Sequence, residues 1–193
     1  MKKVFIVIIA IACVGLVCGG FYLANQRNVA SHESGGDVSE VQKLILKEIE
    51  DSYPSTPREV VKLYNRIVKC YYAGECTDEE LDKLVSQTLL LFDDESKKAN
   101  PKDEYLKSVK EDIEKYSKEK KTITNTTVCA SNDVMYTQDK GDSIAYVTAS
   151  YFIQKNKNFD KTFQKFVLRK DSEGRWKILC FYKIEGDSST DGN

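Results

Sequence analysis

Tyrosine is the residue through which this chain has most to offer a ligand, and there are eleven. Tyr64, Tyr71, Tyr72, Tyr146 and Tyr182, with Trp176 at the base, form the set expected to line a cavity. A phenol joins an apolar ring to one hydrogen-bonding tip, which suits a pocket with few polar anchors. The competing reading makes Tyr64, Tyr146, Trp176 and Tyr182 plain core between helix and sheet. Asp133 is the candidate carboxylate, because it interrupts the rhythm of a strand, while Asp93 and Asp94 stand at a predicted helix end. All three also suit a turn or a cap. A general base of raised pKa needs burial and a partner, and the sequence around these aspartates signals neither.

Sulfur and imidazole add little. Cys70, Cys76, Cys129 and Cys180 lie outside the N-terminal region. Cys70 and Cys76 flank a Gly-containing turn, so a disulfide between them is sterically easy, and four cysteines allow three pairings in all. Zinc is disfavoured, since there is no Cys-x-x-Cys and the only histidine, His32, falls in a polar linker. No metal and no cofactor is expected, and no cysteine has the setting of an activated nucleophile. Asn125-Thr126-Thr127 spells a glycosylation sequon, but within a predicted strand of a chain that reads as bacterial.

The address comes from residues 4–24, 21 consecutive apolar residues after Met1-Lys2-Lys3. As a helix rising 1.5 Å per residue, that run reaches across a hydrocarbon core of roughly 30 Å. It is expected to be an uncleaved transmembrane anchor, with a lipoprotein modified at Cys13 or ordinary secretion as the alternatives. Lys2 and Lys3 place the N-terminus inside and the remainder outside the cell membrane.

Of the 29 Lys and Arg, two lie in residues 1–24; none of the 30 Asp and Glu does, so the remainder carries a net charge of −3. That excludes a basic nucleic-acid surface. Lys97, Lys98, Lys118, Lys120 and Lys121 are interleaved with acids and read as solvated helix faces. Residues 25–37 read as a polar linker, 38–52 as an amphipathic helix or stalk, 53–185 as one folded domain and 186–193 as a polar tail.

Inside the domain, Thr56-Pro57-Arg58-Glu59 has the form of a capped helix start, and Val60, Val61, Tyr64, Ile67, Val68 and Tyr71 continue as one stripe. Gly74 ends that helix, Thr77 to Glu80 starts the next, and Asn100-Pro101 starts a third carrying Tyr105, Leu106, Val109, Ile113 and Tyr116. After Lys121 the period drops to two. Strands are predicted over 122–128, 143–154, 159–170 and 175–184. Alternation in the last strand places Trp176, Ile178, Cys180, Tyr182 and Ile184 toward the helices. Helices followed by an antiparallel meander define an α+β fold, with three or four helices on about four strands.

Thr56-Pro57-Arg58-Glu59-Val60-Val61 and the closing Gly174-Arg175-Trp176-Lys177-Ile178 resemble the nuclear transport factor 2-like superfamily over residues 53–184. The resemblance implies a cone-like α+β domain with a curved sheet around its helices. It implies no chemistry, since that superfamily spans isomerases, dehydratases, secretion scaffolds and non-catalytic modules. Its enzymes place Asp, His or Tyr inside the cone, and this domain lacks histidine. The leading expectation is a membrane-tethered, non-enzymatic binding or scaffold domain that recognises its partner through the open sheet face or the mouth of the cone. The alternatives are a pocket protein or enzyme using Tyr182 and Asp133, and a secretion or conjugation scaffold that self-associates, as a homodimer for instance, through a sheet face.

Overall fold

The computed structural model describes residues 38–185. Five helices precede the main strands: α1 (Glu40–Ile45), α2 (Pro57–Ala73), α3 (Asp78–Leu90), α4 (Asp94–Ala99) and α5 (Lys102–Lys118). The strands are β1 (Lys121–Val128), β2 (Met135–Asp139), β3 (Asp142–Lys155), β4 (Asn158–Lys170) and β5 (Trp176–Ile184). All strand pairs are antiparallel, in the order β1-β3-β4-β5, with β2 also on β3. β1 and β2 share one edge of β3 end to end, separated by a 3-10 turn over Ser131–Asp133.

The α+β pattern stands, but the expected architecture is corrected in three respects. Among the described residues the sheet has five strands, because Met135–Asp139 pairs with the start of β3. Among the described residues there are five helices, because α4 is a six-residue helix too short to leave a clear periodic signature, while the helix expected over 38–52 is helical only over Glu40–Ile45. Among the described residues no helix is long and apolar enough to cross a membrane; the run 4–24, on which the transmembrane helix was expected, lies outside them.

The helix boundaries follow local chemistry. Thr56 Oγ1 accepts the Glu59 amide proton, Pro57 occupies the first turn, and Gly74 closes α2 at φ 71°. A positive φ costs a glycine little and an alanine more. Thr77 and Glu80 form a full reciprocal capping box on α3. Asp93 and Asp94 open α4 instead of ending a helix: Asp93 Oδ1 accepts the Glu95 amide proton. Residues 38–52 contain only the six residues of α1, and Leu44 and Ile49 from this stretch are buried in the core.

The core lies between α2, α3 and one sheet face. Val60, Val61, Ile67, Leu84 and Val85 from the helices meet Ala145, Val147, Phe166 and Leu168 from β3 and β4. β5 departs from simple alternation. Leu168 pairs with Ile178 and Val167 with Cys180, so Leu179 is an extra, bulged residue. One inserted residue turns every later side chain to the opposite face. Ile178 is buried and Phe181 packs on the core, whereas Cys180 and Tyr182 fall on the side away from the helices. The expected helix-facing set therefore holds for Trp176 and Ile178 and fails for Cys180, Tyr182 and Ile184.

Candidate functional site

Where α2, α5 and the middle of the sheet converge, the packing leaves a cavity of about 140 Å³. The stripe of α2 continues to its mouth and supplies Tyr64, Val68, Tyr71 and Tyr72. One face of α5 supplies Tyr105, Ser108, Val109 and Asp112, at spacings of three, four and seven residues that share a helix side. Tyr151, Gln164 and Phe181 form the sheet wall, and Asn100 stands between α4 and α5.

The phenols here are held protonated. Burial pushes Tyr64, Tyr71, Tyr72, Tyr105 and Tyr151 well above the usual phenol value. Several are pinned. Tyr151 donates to Asn65 Oδ1 at 2.6 Å, and Tyr71 shares a 2.5 Å hydrogen bond with Thr88. The rings of Tyr72 and Tyr116 lie 4.3 Å apart, and Tyr64 packs edge-on against Phe166 at 5.4 Å. Such a wall is rigid before any ligand arrives.

Among the described residues Asp112 is the one carboxylate on this wall. It is half-buried, and burial pushes its carboxyl above the usual range, with Lys115 acting in the opposite direction. It has no ion-pair or hydrogen-bond partner among the described residues, and no Lys or Arg lines the cavity.

Of the residues singled out from sequence, Tyr64, Tyr71 and Tyr72 meet at this cleft. The others do not. Tyr146 pairs with Met135 and Val167 on the sheet face away from the helices. Tyr182 joins it there, turned outward by the Leu179 bulge and 44% exposed. Trp176 sits at the start of β5, its ring 5.8 Å from that of Tyr136 and under the Lys170 ammonium. Asp133 is exposed in the 3-10 turn, away from the cleft. Cys70 and Cys76 are free thiols, not a disulfide; Cys76 Sγ is directed at the Cys70 carbonyl oxygen, 3.5 Å away. Burial raises both thiols, that of Cys76 to about 11, which is the opposite of nucleophile activation.

Sequence reasoning missed Tyr105, Asp112, Tyr151 and Gln164 as site residues. A signal existed for Asp112. It interrupts the apolar stripe of Tyr105, Val109, Ile113 and Tyr116 with a charge on the same helix side.

Two other concavities each contain ion-paired side chains. A groove of about 480 Å³ beside α1 holds the Arg66–Glu40 ion pair at 2.8 Å. A polar pocket of about 250 Å³ beside β5 is lined by Asp171 and Arg175, paired at 3.3 Å, and by Asp93, which is paired with Arg169. Among the described residues no group of three His, Cys, Asp or Glu could hold a metal ion.

Fold and cleft together define a small α+β domain with one preformed, tyrosine-walled recess. The chain matches, over residues 1–181, the model of a domain of unknown function, DUF6715, and belongs to that family. No curated protein matches the chain.

Proposed function

We propose that this protein is a non-enzymatic binding domain, held at the outer side of a cell membrane by its apolar N-terminal run, whose recognition site is the tyrosine cleft. One observation carries this reading: the cleft pairs five protonated, well-packed phenols with a single unpartnered carboxylate. That inventory suits orientation of a bound group more than acid–base work. A proton shuttle needs a group poised near the working pH, and the phenols are displaced far above it. A cavity of this size admits a small group or the end of a longer molecule, since drug-sized ligands occupy about 300–1,000 Å³. The membrane placement rests on the composition of residues 4–24 alone.

The test is native mass spectrometry of the full chain, extracted gently in detergent from its own cells. The expected result is a retained small molecule that is lost from Ser108→Trp, where an indole at the exposed rim fills the mouth. Absence of any retained mass, or equal retention by the filled variant, rejects the cleft as the site. A substrate turnover abolished by Asp112→Asn rejects the non-enzymatic part.

A second reading, a scaffold that pairs with another copy of itself, is favoured by the sheet face away from the helices. Across it run Met135, Tyr146, Val167 and Cys180 in one row, with Tyr182 nearby, and Met135 is 59% exposed. Sedimentation of the full chain in detergent tests it. A monomer at all concentrations dismisses self-pairing, and a dimer dissociated by Tyr146→Glu supports it.

A further inference from the structure

We infer that the group the cleft takes is an alkylammonium, an inference that rests on the cleft being the binding site. The wall offers three chemistries: the rings of Tyr64, Tyr71, Tyr72, Tyr105 and Tyr151, the Asp112 carboxylate, and the neutral polar ends of Asn100, Ser108 and Gln164. An anion finds no Lys or Arg among the described residues of the wall and meets Asp112 as a like charge. A neutral group leaves that carboxylate half-desolvated and uncompensated. A cation answers both features, because an aromatic ring attracts positive charge toward its face and a carboxylate completes the pair.

The charged groups near Asp112 point the same way. On its own helix Lys115 and Glu111 act on it with opposite signs, and from α2 it faces the protonated Tyr72. Lys115 outweighs Glu111, yet no described residue forms an ion pair or hydrogen bond with Asp112, so a cation in the cleft has a carboxylate to pair with. The small volume and predominantly aromatic wall favour a compact, alkylated nitrogen over a guanidinium, which would need several planar acceptors at once. Such a group occurs on free solutes and on lipid headgroups, and the chemistry recognised is the same.

The experiment uses the full chain in maltoside micelles with isotope-labelled tyrosine, observed by NMR. Choline is titrated against 3,3-dimethylbutan-1-ol, its uncharged carbon isostere. Choline is expected to shift the resonances of Tyr64, Tyr72 and Tyr105 at concentrations at least about tenfold lower than the isostere, the scale of a partly desolvated cation–π contact. Asp112→Asn is expected to erase that preference, and Asp112→Glu to restore part of it. Dodecylphosphocholine micelles supply the second source: shifts with these micelles and none with free choline support the inference and assign a lipid headgroup. Equal response to choline and its isostere overturns the ammonium inference and leaves the cleft a binding site. No response to any of the three also overturns it, and the retained mass seen with and without Ser108→Trp then decides separately whether the cleft binds anything.

Discussion

Arg169 on β4 grips Asp93, the cap residue of α4, with two prongs: Nη2 to Oδ1 at 2.5 Å and Nε to Oδ2 at 3.1 Å. The two residues are 76 positions apart in sequence. Their contact fixes the α3–α4 corner to the sheet, beside the backbone bonds Asp93 N to Ile178 O and Ile178 N to Leu91 O. Asp93, 6% exposed, also caps its own helix. Glu95 and Asp142 attend the same guanidinium at 3.0 and 3.5 Å.

The pair should therefore respond unequally to loss of either partner. Arg169→Met strands a buried carboxylate and is expected to cost about 3 kcal/mol. Asp93→Asn leaves Arg169 with two other carboxylates and a competent amide cap, and is expected to cost about 1–2 kcal/mol. Urea denaturation of both variants checks the order. Equal costs would mean that the auxiliary carboxylates contribute nothing.

Lys177 offers a pH-dependent readout. It is 8% exposed, its ammonium donates to Leu90 O at 2.8 Å, and it lies 4.1 Å over the Tyr53 ring. Burial, with Arg175 adding to it, pushes its pKa from 10.5 down to about 8. Between those two values the unfolded chain binds more protons at this site than the folded one, so this group makes stability rise with pH across the window. Melting temperatures of wild type and Lys177→Met, measured from neutral pH to about pH 10, should diverge in favour of wild type as pH rises. Parallel curves would refute the assignment.

For Asp112 the sign is reversed. Its folded-state pKa lies above the ordinary 3.8, so ionisation at neutral pH costs the fold, and the cost disappears once both states are protonated. Asp112→Asn is expected to melt higher than wild type at neutral pH and alike below about pH 3.8. A residue that destabilises its own fold while facing a cavity is a common signature of a site kept for binding. A lower melting temperature for Asp112→Asn at neutral pH contradicts the assignment.

Tyr151 and Asn65 are a buried polar pair behind the cleft, joined at 2.6 Å, and Asn65 Nδ2 has no partner among the described residues. Tyr151→Phe removes the one bond to the amide and should cost about 1–3 kcal/mol. Adding Asn65→Leu should recover much of that loss, since replacing both partners with apolar groups is close to neutral. Additive losses in a chemical-denaturation cycle would show that shape and not hydrogen bonding governs the pair.

Local rules made much of this molecule legible in advance. Thr56-Pro57, Gly74 and Thr77 to Glu80 place helix ends through contacts a few residues apart, and β3 and β4 follow from runs of alternating residues closed by tight turns. Such signals depend only on near neighbours, so one sequence carries them in full. The Leu179 bulge does not have that character. It is held by Val167 and Leu168 on one side and by Phe92 and Ser96 on the other, and it alone decides that Phe181 enters the cleft wall while Tyr182 leaves it. Asp112 was visible as a charge on an apolar stripe, but what faces it is set by α2 and β3, elements distant from it in the chain on either side. Sequence alone determined the α+β order of elements and which helices are amphipathic, because caps and periodicity are short-range. Tertiary structure alone decided which tyrosines share a cavity, because sheet register and helix packing are negotiated between residues far apart in the chain.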